Sequence, residues 1–354
     1  MKNLLLASTA LVAFAGAASA EVAISGSGRM GVVYDQDGTF DTDGSPNQSE
    51  RFSSRVRVAF TLTQETDSGV TFGGSVRADN ASAGNNGSGG SVFLSGAFGK
   101  LSMGDVDGAA ESAVGNLSGV GYEGLGDRNE AFYLQQGNSD LSSNEKLTAF
   151  ATPAALYEYT TGPASFYLSL ANPAGLDFST TFFDTTDPTT GLPATTVTDL
   201  TIDQAFGLGA KYAVDNYTIG IGYESMDFSG VVTDDTTLVA TDFSTNIDNI
   251  IIGGSGTFGG FTLKAQYGEG SGDYLDLTQY GASADYTWDA YTVTAFYRHV
   301  EVKDKGDNRT SEANPFGIGA AYDLGGGASV AAGIVDPDVE GINFNWDLGV
   351  NFSF

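Results

Sequence analysis

The sequence predicts an all-β fold, a 16-stranded antiparallel transmembrane β-barrel with short turns at one end and long external loops at the other. Three observations predict it: apolar and polar residues alternate with the period of a strand, short and long connections follow each other regularly, and aromatic residues flank the short connections. The 49 Gly, 23 Phe and 16 Tyr beside 8 Pro suit many strands joined by tight turns.

The first 20 residues predict a signal peptide that is removed on export. Lys2 precedes the apolar run 4–17, and Ala18, Ser19 and Ala20 form a small-residue cleavage pattern. The run is too short for a membrane-spanning helix. The barrel is therefore expected to occupy residues 21–354 as one domain.

The last strand shows the alternation most plainly. Phe344, Trp346, Leu348, Val350, Phe352 and Phe354 form one series, and Asn343, Asn345, Asp347, Gly349, Asn351 and Ser353 form the other. Such a strand fits lipid on one side and water on the other. Similar segments predict strands near 22–34, 51–66, 70–80, 90–98, 100–106, 154–161, 164–171, 203–214, 216–227, 245–258, 261–270, 275–288, 291–303, 313–324, 327–335 and 343–354.

The connections between these segments alternate in length. Seven are short: Asp67-Ser68-Gly69, Gly99, Gly162-Pro163, Asp215, Gly259-Gly260, Asp289-Ala290 and Gly325-Gly326. Short turns belong to the periplasmic side of an outer-membrane barrel and long loops to the outside. Aromatic residues beside six of the seven turns predict an interfacial girdle. Both termini then lie in the periplasm, where the first strand closes against the last.

Basic residues are scarce, yet four arginines fall on the polar series of three consecutive strands. Arg29, Arg55, Arg57 and Arg77 are thus predicted to lie side by side on the inner wall. Charges in a water-filled lumen stay hydrated and favour opposite charge across from them.

The segment 107–153 and the strand end before it offer that opposite charge. Their acidic residues include Asp105, Asp107, Glu111, Glu123, Asp127 and Glu130. The length of this third long loop, its glycines and its position favour folding into the lumen, where it would face the arginine wall across a narrow gap. Opposed walls of charge favour small hydrophilic solutes and ions over apolar molecules. The other long connection, 172–202, is predicted to form an external flap around 180–199.

Four pieces of the sequence together resemble the trimeric general porins of Gram-negative outer membranes, most closely those of photosynthetic α-proteobacteria. They are EVAISGSGR at 21–29, FGKLSMGD at 98–105, GVGY at 119–122 through GDRN at 126–129, and the terminal Phe354. The resemblance implies a passive diffusion channel, a third loop forming an eyelet against the arginines, and a homotrimer in contact with outer-membrane lipid and lipopolysaccharide. It also implies that Phe354 is a signal for barrel assembly, and that Glu111, Asp127 and Glu130 lead the acidic side.

Other functions are weighed against this one. The net charge of −29 excludes nucleic acid as a main partner. The single histidine, His299, has no recognisable nucleophile beside it, so an enzyme is not expected. A ligand-specific channel would need inner aromatic residues, for which Tyr167 and Phe296 are candidates. No cofactor is predicted, although acidic loops such as 35–43 and 304–312 offer candidate Ca²⁺ ligands. Strong negative charge predicts a weak preference for cations.

Overall fold

A computed structural model gives the fold. It describes residues 21–34, 50–79, 89–135, 153–171, 174–175, 195–234, 239–305, 310–339 and 344–354. The predicted signal peptide, the calcium-candidate segment 35–43 and most of the predicted flap lie outside these residues. Among the residues described, no helix is long and apolar enough to cross a membrane.

The described chain is almost entirely β-strand. Its elements are β1 (Glu21–Tyr34), β2 (Arg51–Glu65), β3 (Thr71–Asp79), β4 (Gly89–Gly96), β5 (Gly99–Gly104), α1 (Ala109–Val114), β6 (Pro153–Thr161), β7 (Ala164–Ala171), β8 (Ala174–Gly175), β9 (Thr195–Val214), β10 (Tyr217–Asp234), β11 (Val239–Phe258), β12 (Phe261–Gly272), β13 (Leu275–Trp288), β14 (Tyr291–Asp304), β15 (Thr310–Ala313), β16 (Phe316–Gly325), β17 (Ala328–Asp336) and β18 (Asn345–Ser353).

These strands form one closed antiparallel barrel. Each strand pairs with its chain neighbour, and β1 pairs with both β2 and β18. The short β8 continues β7 alongside β9, and β15 continues into β16 alongside β14. The barrel therefore has 16 staves, which confirms the predicted fold.

The short turns lie at one end of the barrel, called here the turn end. Gly259 and Gly260 join β11 to β12 with φ of +55° and +85°, values that glycine adopts without strain. At the predicted Gly99 turn, the turning residues are instead Ala97 and Phe98, and Gly99 begins β5.

The wall is uneven in height. Strands β9 and β11 have 20 residues each, whereas β5 has 6. The sequence prediction began β9 at 203, ended β10 at 227 and began β11 at 245, and these bounds were too short. Residues 195–199, assigned to the external flap, are part of β9. The extensions are rich in Thr and Asp, so they lack the apolar series by which a lipid-facing strand is recognised.

The two faces of the wall differ as the alternation predicts. Phe52 is 92% exposed on the outside of β2, and Asp347 is 1% exposed on the inside of β18. At the turn end, ring contacts run along the outer face from Phe258 through Phe261, Tyr286, Trp288 and Tyr291 to Tyr322. This row of amphipathic side chains has the form of an interfacial girdle.

Candidate pore constriction

The connection between β5 and β6 folds into the barrel. Its described part, through Gln135, begins with α1, which packs against β7, β9, β10 and β11. Ala109, Ala110 and Ala113 of this helix are 0% exposed. We call residues 105–135 the internal loop. The small side chains on the side of the helix that faces the wall let the loop lie close to the strands.

Glycines on the inner face of the wall receive the loop. A Cβ atom at Gly253 would lie 2.7 Å from Val114 Cγ1, and one at Gly333 would lie 2.5 Å from the Gly121 nitrogen. Contacts this short require the neighbouring atom to move, and at Gly333 that atom belongs to the backbone of the loop. The loop can therefore follow the wall closely because these inner positions have no side chain.

A buried carboxylate holds the returning limb of the internal loop. Glu224, on β10, is 0% exposed. Its oxygens accept hydrogen bonds from the backbone N–H of Leu134 at 2.8 Å and of Gln135 at 3.0 Å, and from Asn249 Nδ2 at 3.1 Å. A charged acceptor with several donors forms stronger bonds than a neutral one. Glu224 thus fixes the loop near its described end.

A second carboxylate holds the tip of the loop on the far side of the barrel. Asp347 Oδ2, on β18, accepts the backbone N–H of Tyr122 and of Glu123, each at 2.9 Å. The preceding Gly121 has φ of +84°, which turns the chain so that both N–H groups point at the wall. The tip and the returning limb are therefore anchored in the same chemical manner.

Neutral side chains complete the attachment. Gln279 Oε1 accepts from Phe132 N at 2.7 Å, and Gln279 Nε2 donates to Phe132 O at 2.8 Å. Ser118 Oγ donates to Asp285 Oδ2 at 2.6 Å. Within the loop, Tyr133 donates to Gly115 O at 2.6 Å. Burial, and then Glu111, raises the pKa of Tyr133 well above its ordinary value, so the hydroxyl keeps its proton.

The four predicted arginines lie on neighbouring strands. The register places Arg29 opposite Arg55 and Ser27 opposite Arg57 across β1 and β2, and Ala59 opposite Arg77 across β2 and β3. All four belong to the inner face and are half-buried. We call them, with Arg51 discussed below, the arginine wall.

The internal loop touches this wall at its tip. Arg29 Nη2 lies 3.0 Å from Glu123 Oε1, and Arg51 Nη2 lies 3.9 Å from Glu123 Oε2. Ser53 Oγ also donates to Glu123 Oε1. The gap expected between loop and wall is thus closed at Glu123, because Asp347 holds the backbone of this residue close to β1 and β2.

The other predicted acids are spread along the internal loop. Asp105 and Asp107 lie at its start, Glu111 lies on α1, where Oε1 accepts from Asn116 Nδ2 at 3.1 Å, and Asp127 and Glu130 follow the tip. Asp127 has φ of +55° and is exposed. The structure places all six acids on one folded segment inside the barrel.

Sequence reasoning missed several residues of the site. Arg51 precedes the predicted arginines on the same face of β2 and contacts Glu123. Beneath the loop, Arg298 Nη1 donates to Arg128 O at 3.3 Å, and Lys264 Nζ donates to Asn116 O at 3.3 Å. All three residues lie on the polar series of their strands, which predicts a side chain on the inner face. The series does not tell which of the inner side chains contact the loop.

Comparisons with known proteins decide the family. The model of the Gram-negative porin family matches residues 7–340. The chain belongs to the Gram-negative porin family. It is 34% identical over 355 residues to a porin of Rhodobacter capsulatus, with 94% of this chain and 100% of that protein covered. A porin of Fuscovulum blasticum is 27% identical, again covering 94% and 100%.

Solved structures agree in fold. A refined porin structure matches with a TM-score of 0.65 at 32% identity, and covers 94% of this chain and 100% of that one. A mutant of Rh. blastica porin matches with a TM-score of 0.62 at 22% identity over the same shares. The resemblance seen in the sequence is confirmed, and the porin is an outer-membrane barrel.

The two inner aromatic candidates for a ligand-specific channel each lie close to other side chains in this porin. Phe296 is 5% exposed and packs with Val120, Leu125 and Val335 beneath the internal loop. The Tyr167 ring has Lys211 Nζ above it, 5.4 Å from the ring centre. Phe296 thus anchors the loop, and general diffusion remains the better description.

Phe354 closes the barrel at the turn end. Its backbone N–H donates to Gly26 O at 2.9 Å, and its carbonyl accepts from Gly26 N at 2.9 Å. The side chain is 75% exposed. The backbone therefore completes the β1–β18 seam while the ring remains accessible at the outer surface.

Proposed function

We propose that small polar solutes and ions cross this porin by passive diffusion through a constriction bounded by the internal loop and the arginine wall. The observation that carries the proposal is the contact of Glu123 with Arg29 at 3.0 Å, because it brings an acidic loop and a basic wall to the same level of the barrel. Arg55, Arg57 and Arg77 supply the basic side in this proposal.

The acidic side is assigned to Asp105, Asp107, Glu111, Glu123, Asp127 and Glu130. Opposite charges on facing walls create a field across the passage, and water inside aligns with it. A polar solute exchanges this water at little cost, whereas an apolar solute must displace it. The filter is thus proposed to select small hydrophilic molecules by hydration and size.

Ion preference follows from two opposed charges. The net charge of −29 attracts cations toward the barrel, whereas the arginine wall repels them at the constriction. We infer a weak preference for cations, since only one wall of the constriction is basic.

The assembly is proposed to be a homotrimer embedded in outer-membrane lipid and lipopolysaccharide. The family resemblance supports this oligomeric state. The exposed ring of Phe354, on the last residue of the barrel, is proposed to be the group that the assembly machinery recognises.

Single-channel conductance in a planar bilayer tests the constriction. The variant Arg55→Ser/Arg57→Ser removes two cations from the wall. Its matched control, Lys303→Ser/Lys305→Ser, removes two cations from the loop end of β14 and the residue after it. We expect conductance steps in groups of three, with size or selectivity altered in the arginine variant and unchanged in the control.

The possible results separate the parts of the proposal. Steps of wild-type size and selectivity in the arginine variant would discard the filter and keep the channel. An equal change in both variants would assign the effect to overall charge. Absence of steps from folded protein would refute diffusion through the barrel, and a reversal potential indicating anions would refute the cation preference.

A further inference from the structure

A histidine and two carboxylates converge at the loop end of the barrel, away from the constriction. His299 and Glu301 are two residues apart on β14, so their side chains leave the same face of the strand. Glu312, on β15, lies directly opposite Glu301 in the register. One ligand atom from each of the three residues lies within 4.8 Å of the other two.

This face is the outside of the barrel. Tyr297 precedes His299 on the same series and is 42% exposed, whereas Phe296 on the alternate series is 5% exposed and meets the internal loop. His299 and Glu301 are half-buried and Glu312 is exposed. At the loop end the outer series of β14 becomes charged, with Glu301 followed by Lys303, so an ion in solution can reach the three side chains without entering the pore.

A hydrogen-bond network outside the three residues fixes the proton of the histidine. Asn314 Nδ2 donates to Asp338 Oδ2 at 3.0 Å, which assigns Oδ1 as the acceptor of this amide. Asn314 Oδ1 accepts from the Tyr297 hydroxyl at 2.9 Å and lies 2.8 Å from His299 Nδ1. Since Oδ1 has no hydrogen, the proton of a neutral His299 is on Nδ1.

The other nitrogen, Nε2, then carries a free lone pair. A metal-binding histidine characteristically donates its second N–H to an oxygen that orients the ring. The ring of His299 is also stacked on Tyr280, with centroids 4.7 Å apart and planes at 24°. Both the tautomer and the orientation of the imidazole are thus set in advance.

The two neighbouring carboxylates favour the binding of a cation. Glu301 and Glu312 are directly opposed across the strand pair, and like charges in this arrangement destabilise a sheet. Lys303 is the next residue on the same face of β14, opposite Thr310, and supplies a single positive charge at one side. A divalent ion between the carboxylates would turn the repulsion into shared attraction.

We propose that His299, Glu301 and Glu312 form a binding site for a divalent transition-metal ion of the zinc class on the outer face of the loop end. Imidazole with carboxylates suits Zn²⁺, whereas Ca²⁺ takes oxygen ligands. Bonds of about 2.0–2.2 Å place two ligands of one zinc ion roughly 3.4 Å apart in a tetrahedron. The three ligand atoms lie within 4.8 Å of one another and must approach to that distance on binding, for which the exposed side chain of Glu312 has room to turn; water would take the fourth position.

Zinc titration of the refolded full-length barrel, with ZnCl₂ as the only metal and a chromophoric chelator as competitor, tests the site. We expect one zinc ion per chain in the wild type. His299→Gln and Glu312→Gln should each lower the affinity at least tenfold. The control Glu65→Gln, at the exposed turn-end terminus of β2, should leave it unchanged, and excess Ca²⁺ should not displace the zinc.

Two further measurements make the result decisive. X-ray absorption at the zinc edge should show four nitrogen or oxygen atoms in the first shell and the outer-shell scattering of one imidazole ring, which should be lost in His299→Gln. Wild-type conductance of each variant would establish that the barrel is folded, and Glu312→Gln serves if the histidine variant does not fold. Zinc binding of wild-type affinity in folded His299→Gln, or no zinc bound by the wild type, would overturn the proposal.

Discussion

Replacing Glu224 by glutamine should loosen the internal loop without changing the shape of the wall. The carboxylate accepts the N–H groups of Leu134 and Gln135 and the amide of Asn249. Glutamine has the same size but offers one oxygen and one NH₂ group. That NH₂ group must face a backbone N–H, so one acceptor is lost and two donors are opposed.

The cost can be worked from these contacts. A hydrogen bond to a charged group contributes about 1.5–3 kcal/mol, and the two bonds that survive when the glutamine oxygen takes the place of Oε2 are each reduced to the neutral value of about 1 kcal/mol. Together the changes weaken the attachment by about 3 kcal/mol. This corresponds to an increase of roughly 150-fold in the population with the returning limb detached.

Proteolysis and conductance measure that population. Arg128 is 7% exposed, so trypsin reaches the following peptide bond mainly when the loop leaves the wall. We expect Glu224→Gln to be cleaved there far faster than the wild type and to show greater open-channel noise. The control Glu269→Gln makes the same substitution at an exposed position of β12. Equal cleavage rates in all three proteins would refute the anchoring role of Glu224.

The same structure yields three further predictions. Gly333→Val should displace the loop, because its side chain would overlap the backbone of Gly121, and single-channel conductance should change while the barrel still resists heat in detergent gels. Burial holds the pKa of Tyr133 well above 10.0, so its bond to Gly115 O should stabilise the loop fully below about pH 10 and be lost as pH rises through the raised pKa. Loss of the bond loosens the loop, so the open-channel noise of the wild type should rise at alkaline pH. Tyr133→Phe lacks this bond at every pH, and its noise should therefore rise less at alkaline pH than that of the wild type. Phe354→Ala keeps both backbone bonds to Gly26, and we expect this variant to assemble slowly in cells but to refold normally in detergent, which would assign the effect to the ring. Unchanged assembly in cells would contradict the proposal that the ring is the assembly signal.

The sequence predicted the wall well because a transmembrane strand is constrained on every second residue. All sixteen predicted segments correspond to strands that pair in chain order. The failures lie where that constraint ends. The Thr- and Asp-rich parts of β9, β10 and β11 extend toward the loops, and outside lipid an extended strand needs no apolar series.

The candidate site was predicted in part for a related reason. A charge on the polar series predicts an inner position, and the structure places Arg29, Arg55, Arg57 and Arg77 on the inner face. The same reasoning could not separate a carboxylate that lines the lumen from one that is buried under the loop. Glu224 and Asp347 are both on the inner face, yet each is bound to two backbone N–H groups. That distinction depends on contacts between distant parts of the chain.

The size of the inner side chains shows how the wall divides the lumen. Positions such as Gly253 and Gly333 bear no side chain and receive the loop, whereas β1, β2 and β3 present arginines on the inner face. Arginines at the glycine positions would hold the loop away from the wall. Glycines at the arginine positions would leave that side of the lumen without positive charge. The inner face of the wall thus has one part that binds the loop and another part that faces the loop with opposite charge. Because Glu123 joins the two parts through its ion pairs with Arg29 and Arg51, the charge of this cluster and the position of the loop are coupled.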